Sequence, residues 1–100
     1  MSKKVKTRPQ ELMILGKMVK INYSVDMDKD DCGEFDDSTM TISINLNRHD
    51  NEDLLKSTLL HEIIHAILFI TGQNELLDSK QEEGLVRAIE HGLADIVTIY

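Results

Sequence analysis

The string His61-Glu62-Ile63-Ile64-His65, set inside the apolar run from Leu54 to Ile70, constrains this chain more than any other stretch. Residues four apart are neighbours on one face of an α-helix, so a helix here aims the imidazoles of His61 and His65 at a common point. Two imidazoles so placed can grip one tetrahedral ion such as Zn2+, which accepts nitrogen ligands readily. Glu62 lies about 100° around the helix from His61, near enough to take a proton from water on that ion without being a ligand itself. H-E-x-x-H is thus the spacing that a zinc hydrolase needs.

A bare five-residue match can be accidental, and its setting decides. On a helical wheel Thr58, His61, Glu62, His65 and Phe69 form one stripe, while Leu55, Leu59, Leu60, Ile63, Ile64, Ile67, Leu68 and Ile70 cover the other sides. A helix apolar almost all round is a core helix. Two histidines and a carboxylate in such an element must find partners to offset their burial, and a metal would supply them. The blander alternative is a pair of hydrogen-bonded histidines in the core or at its rim.

One hundred residues make one domain, spanning 1–100, with 1–8 read as a flexible basic arm. Hydrophobic content of 41% with 29% charged residues fits a soluble globular chain. No apolar stretch reaches the roughly 20 residues that span a bilayer, and the basic start Met1-Ser2-Lys3-Lys4 lacks the apolar segment of a signal peptide. The lone Cys32 excludes an internal disulfide and agrees with a reducing compartment, so the expected location is cytoplasmic, with no membrane partner. Four positive charges in the first eight residues leave a net −11 on the rest, out of −7 overall. An acidic body repels phosphates, so nucleic acid is not expected as a partner.

Along the chain, Thr7 to Leu15 reads as a short helix capped by Thr7 with Pro9 in its first turn, with a strand entering a turn at Gly16-Lys17 as the alternative. Val19 to Met27 and Thr39 to Asn47 alternate apolar and polar residues and are half-buried strands. Between them, Asp26 to Asp37 collects seven acidic residues. An EF-hand wants Gly at its sixth position and Glu at its twelfth, where this chain has Asp31 and Asp37, so the stretch reads as a solvated loop or hairpin connection. Asp50 or Asn51 is a suitable N-cap for a helix starting near Glu52 and ending at Thr71-Gly72. A second helix covers Lys80 to Ile99, gathering Leu85, Val86, Ile89, Leu93, Ile96 and Val97 on one face. The fold class is α+β: a small antiparallel or mixed sheet of two to four short strands packed on the H-E-x-x-H helix, plus a C-terminal helix.

A catalytic zinc site takes three protein ligands and keeps one position open. Candidates for the third are Glu82, Glu83, Glu90 and His91, with Cys32 and His49 behind them. The short connection from Gly72 to Ser79 folds the second helix back beside the first and favours Glu82 or Glu83. Glu82 falls near the centre of the apolar face and Glu83 at its edge, which excludes neither. Either could equally be a helix-start carboxylate favoured by the dipole.

The strings Thr58 to Ala66 and Glu83 to Arg87 resemble the zincin-type metallopeptidases, in the gluzincin arrangement where a downstream helical Glu completes the site. The small intracellular and phage-encoded metallopeptidases related to the ImmA/IrrE type are the nearest likeness, which also takes in the strand Met40 to Leu46. The resemblance implies one Zn2+ held by His61, His65 and Glu83, with Glu82 as second choice, and Glu62 as general base. Glu83 precedes Glu82 because Glu83-Gly84-Leu85 is similar to the Glu-Gly-aromatic form of some gluzincins. No third His follows His65 at the metzincin spacing, and there is no large second lobe.

A zinc-dependent endopeptidase acting on a peptide or protein is the expected function. The alternatives are a zinc-binding regulatory or interaction module without catalysis, and a non-peptide metallohydrolase. Tyr23, Tyr100, His91 and Arg87 are the available donors to a tetrahedral oxyanion. Were Thr39 to Asn47 the sheet edge above the central helix, a peptide could add to it as an extra strand.

Overall fold

Two strands whose apolar residues recur at every second position, and one helix apolar on two sides, determine how this chain packs. The computed structural model describes residues 8–28 and 30–99. It contains β1 (Glu11–Ile14), β2 (Lys17–Ser24), β3 (Gly33–Asp36), β4 (Thr41–Asn45), α1 (Glu52–Ile70) and α2 (Ser79–Leu93), with short 3-10 turns at Leu46–Arg48 and Gln73–Leu76. The four strands form one mixed sheet in the order β1-β2-β4-β3. β2 and β4 run parallel in its centre, pairing Ile21 with Ile42 and Tyr23 with Ile44, and the outer strands are antiparallel to their neighbours. The expected α+β class is observed.

The core lies between one sheet face and α1. Val19, Ile21, Ile42 and Ile44 from the central strands meet Leu55, Leu59 and Ala66 from the helix. A second, smaller cluster joins α1 to α2 through Leu60, Ile64, Leu68 and Val86. This is why α1 is apolar nearly all round: it is covered by the sheet on one side and by α2 on another. What remains is the narrow stripe containing His61, Glu62 and His65.

The ends of α1 follow the sequence. Asn51 caps its start by accepting from the Leu54 amide, and Gly72 adopts φ +77 just beyond its end, where a left-handed residue terminates a helix at no steric cost. α2 opens with a capping box in which the Asp78 carboxylate accepts from the Gln81 amide and the Gln81 side chain accepts from the Asp78 amide. Asn45, fully buried at the end of β4, donates from Nδ2 to the carbonyls of Asp28 and Asp31 and so anchors the acidic loop to the sheet.

Several expectations are corrected. The helix expected over Thr7 to Leu15 is instead strand β1, with Thr7 outside the described residues. Leu15 and Gly16 both have positive φ (50° and 80°), the two-residue hairpin turn whose twist suits antiparallel strands, and it folds β1 back onto β2. The acidic stretch is only partly a loop, since Gly33 to Asp36 form β3 and pair with β4. β4 is therefore an inner strand, and β3 is the edge beside α1. The strand expected to reach Met27 stops at Ser24, with Val25 60% exposed. α2 stops at Leu93 rather than Ile99, and Ile96 is 76% exposed, so the apolar face read over its last turn is not buried.

The basic arm expected over 1–8 lies outside the described residues except for Arg8, whose guanidinium pairs with Glu52 and lies 5.5 Å from the Tyr23 ring centre. No helix among the described residues is long and apolar enough to cross a membrane. Leu59 is fully buried at the centre of the sheet-facing cluster. Leu59→Ala should lower unfolding free energy by about 2–5 kcal/mol in urea denaturation, the usual cost of a core leucine cavity.

Candidate metal centre

The polar stripe of α1 faces α2, and α2 returns three carboxylates to it. Glu90 Oε1 lies 2.9 Å from His61 Nδ1, and Glu82 Oε2 lies 2.6 Å from His65 Nδ1. A carboxylate only accepts, so with a cation on the Nε2 side each Nδ1 would keep the proton and donate it, leaving each Nε2 a lone pair for that cation. Glu83 sits on that other side, its Oε1 2.8 Å from His61 Nε2 and its Oε2 3.2 Å from His65 Nε2. The two rings are 5.0 Å apart between centres and inclined by 62°. Ligand atoms about 2.1 Å from a shared tetrahedral ion are roughly 3.4 Å from one another, close to the spacings found here.

One ligand atom each from His61, His65 and Glu83 fall within 4.8 Å of one another. Lone pairs brought so close repel unless a proton or a cation lies between them. Glu62, Glu82, Glu83 and Glu90 together bring four carboxylates against two imidazoles, so the cluster remains negative even with both rings protonated. A divalent cation suits this donor set in both geometry and charge.

Glu62 is buried, at 7% exposure, on the stripe between the two histidines. Burial raises its pKa above the ordinary carboxylate value; His65 and His61 pull it down by less, and Glu83 and Glu34 add to the rise. Glu83 shows the opposite balance. Burial would raise its pKa, but His61 and His65 outweigh burial and lower it. Two carboxyl groups side by side are thus pushed apart in acidity.

An open cleft of about 730 Å3 lies over the stripe, with Asp30, Asp31 and Cys32 on one wall and Glu83, Arg87 and His91 on the other. Gly33 lets β3 come this close to α1. A Cβ there would stand 2.9 Å from Thr58 Cγ2, 3.1 Å from the Ser43 carbonyl oxygen and 3.4 Å from Glu62 Cγ.

Other candidates from the sequence sit elsewhere. His49 spends both nitrogens on structure: Nδ1 donates to the Asn45 carbonyl at 2.6 Å, and Nε2 accepts from the Thr58 hydroxyl at 2.7 Å. Cys32 and His91 are exposed on the cleft wall, outside the three-residue cluster. Tyr23 donates to the Pro9 carbonyl at 2.7 Å and lines a different cavity, which removes it as an oxyanion donor. Tyr100 lies outside the described residues. Sequence reasoning weighed Glu82 and Glu90 only as third ligands and missed their contacts with Nδ1. Their placement on or beside the apolar face of α2 was the available signal, because a buried carboxylate requires a donor. Gly33 carried no signal of its own.

The sequence matches the SprT-like family over residues 16–84. This chain belongs to the SprT-like family. The match includes β2, β3, β4, α1 and the pair Glu82-Glu83, and it stops before Glu90. SprT-like domains are related to zincin-type metallopeptidases, so the chain is a zincin-like, metallopeptidase-type domain. The zincin part of the sequence resemblance is thereby carried, and the ImmA/IrrE and phage part is not. Comparisons with curated proteins and with solved structures returned no match.

Two measurements on this SprT-like chain follow from the packing and from Glu62. Gly33→Ala should cost about 1–3 kcal/mol in chemical denaturation, as overpacking at a closed contact does. In chelator-treated protein, a raised folded pKa means that Glu62 favours folding least once ionised. Its unfavourable contribution is absent below the ordinary value of 4.5, grows from there up to the raised one, and is constant above it. Glu62→Gln should therefore stabilise the metal-free fold at neutral pH and lose that advantage below about pH 4, read from melting temperature against pH.

Proposed function

We propose that the chain is a zinc-dependent endopeptidase of minimal size, with His61, His65 and Glu83 as metal ligands and Glu62 as general base. The observation that carries the proposal is the convergence of His61, His65 and Glu83 ligand atoms beside a buried carboxyl group. When bound, zinc acidifies water and polarises a carbonyl.

The residues divide the remaining work. Glu62, raised in pKa and screened from solvent by β3, accepts a proton from water and returns it to the leaving amine. Arg87 and His91, exposed on the cleft wall, are the donors within reach of a developing oxyanion. β3 stands at the sheet edge beside α1, and an extended peptide can pair with its outer side as an added strand.

The acidic groups lining the cleft, Asp30, Asp31, Glu83 and Glu90, oppose phosphate groups and support a peptide rather than a nucleic acid as substrate. They likewise rank a non-peptide hydrolase that acts on RNA below a peptidase. A cytoplasmic location goes with the exposed thiol of Cys32, the single cysteine of the chain.

Glu62→Gln should retain bound zinc, measured by metal analysis after dialysis, and lose peptide-cleaving turnover by about 100-fold or more. Undiminished turnover in that variant would reject Glu62 as the base. Zinc binding by wild type with no cleavage of a broad peptide library would favour a zinc-binding module without catalysis.

A further inference from the structure

We propose that Glu82 and Glu90 are positioning residues that set the metal affinity of the centre, each by holding one imidazole at Nδ1 so that its Nε2 faces inward. The proposal rests on His61 and His65 being ligands, as argued above. Neither carboxylate belongs to the three-residue ligand cluster, because each meets its histidine on the ring atom that points away from Glu83.

The two pairings are separate, and each joins one carboxylate of α2 to one Nδ1 of α1. Glu90 is buried to 8% exposure and has two donors, His61 Nδ1 at 2.9 Å and the Ser57 hydroxyl on Oε2 at 2.9 Å. Each oxygen of this carboxylate thus has a partner on α1, one helical turn apart in sequence. Glu82 holds His65 at 2.6 Å from the first turn of α2. The helix pair therefore runs antiparallel, with an orienting carboxylate at each end of the histidine pair and Glu83 between them.

A carboxylate on Nδ1–H does three things for the opposite nitrogen. It selects the tautomer with a free Nε2, fixes the ring plane, and makes Nε2 more basic. An imidazole without it can turn over or carry its proton on Nε2, and either change removes a ligand. Because the two carboxylates act on different rings, their effects are separable.

The test is zinc affinity by competition with a chromogenic chelator, combined with histidine nitrogen NMR, on the full chain. Glu82→Gln and Glu90→Gln should each weaken zinc by about 10-fold, the corresponding alanine variants by up to about 100-fold. Glu90→Ala should shift His61 alone away from the Nδ1–H tautomer, and Glu82→Ala His65 alone. Helical content and metal-free melting of the glutamine variants report folding independently, and a purely structural role would alter those without the ring-specific tautomer change. Unchanged zinc affinity in all four variants would overturn the positioning role while leaving the centre itself standing. Absence of zinc binding by wild type would overturn both.

Discussion

Three groups that present only lone pairs to one point cannot hold themselves together. His61 and His65 face Glu90 and Glu82 through Nδ1, and the Glu83 carboxylate faces both Nε2 atoms. In a polypeptide that already places seven more negative than positive charges on 100 residues, this is a costly arrangement unless something positive sits in the middle. Much of the rest of the molecule can be understood as the means of enforcing that convergence.

The enforcement begins with α1. Its sheet-facing and α2-facing sides are both apolar, so its rotation about its own axis is fixed twice over, once by Leu55, Leu59 and Ala66 and once by Leu60 and Ile64. Between those faces the stripe has nowhere to point except the gap bounded by β3 and α2. The capping box at Asp78 and Gln81 fixes where α2 starts, and therefore the height at which Glu82 and Glu83 meet the histidines. Closure on the remaining side comes from β3, whose glycine allows the backbone within van der Waals contact of the helix.

The sequence revealed elements whose apolar pattern is regular and long. β2, β4 and α1 each bury a face continuous enough to show as alternation or as a helical run. β1 was legible only as the alternative to a helix, because its four residues are too few to display a period and because the hairpin pair, Leu15-Gly16, is an unusual one in which only the second residue favours positive φ. β3 escaped because Glu34 and Asp36 on its solvent side make it look like the loop that precedes it; pairing with β4 outweighs composition there. The site divides in the same way. His61, Glu62 and His65 are legible because they are local, and one helical turn relates them. The distinction between Glu82 and Glu83 depends on which side of a ring each reaches, a tertiary property that no wheel contains.

Asn45 has a consequence for how such a domain can diversify. Its amide grips backbone carbonyls of Asp28 and Asp31, and the Asn45 amide nitrogen of the main chain is satisfied by the Cys32 carbonyl. None of these bonds involves a loop side chain. The residues overhanging the cleft are therefore suspended from a fixture that is indifferent to their chemistry. Selection can rewrite the wall that meets a visiting molecule, in sign or in bulk, while the hydrophobic scaffold beneath it stays as it is.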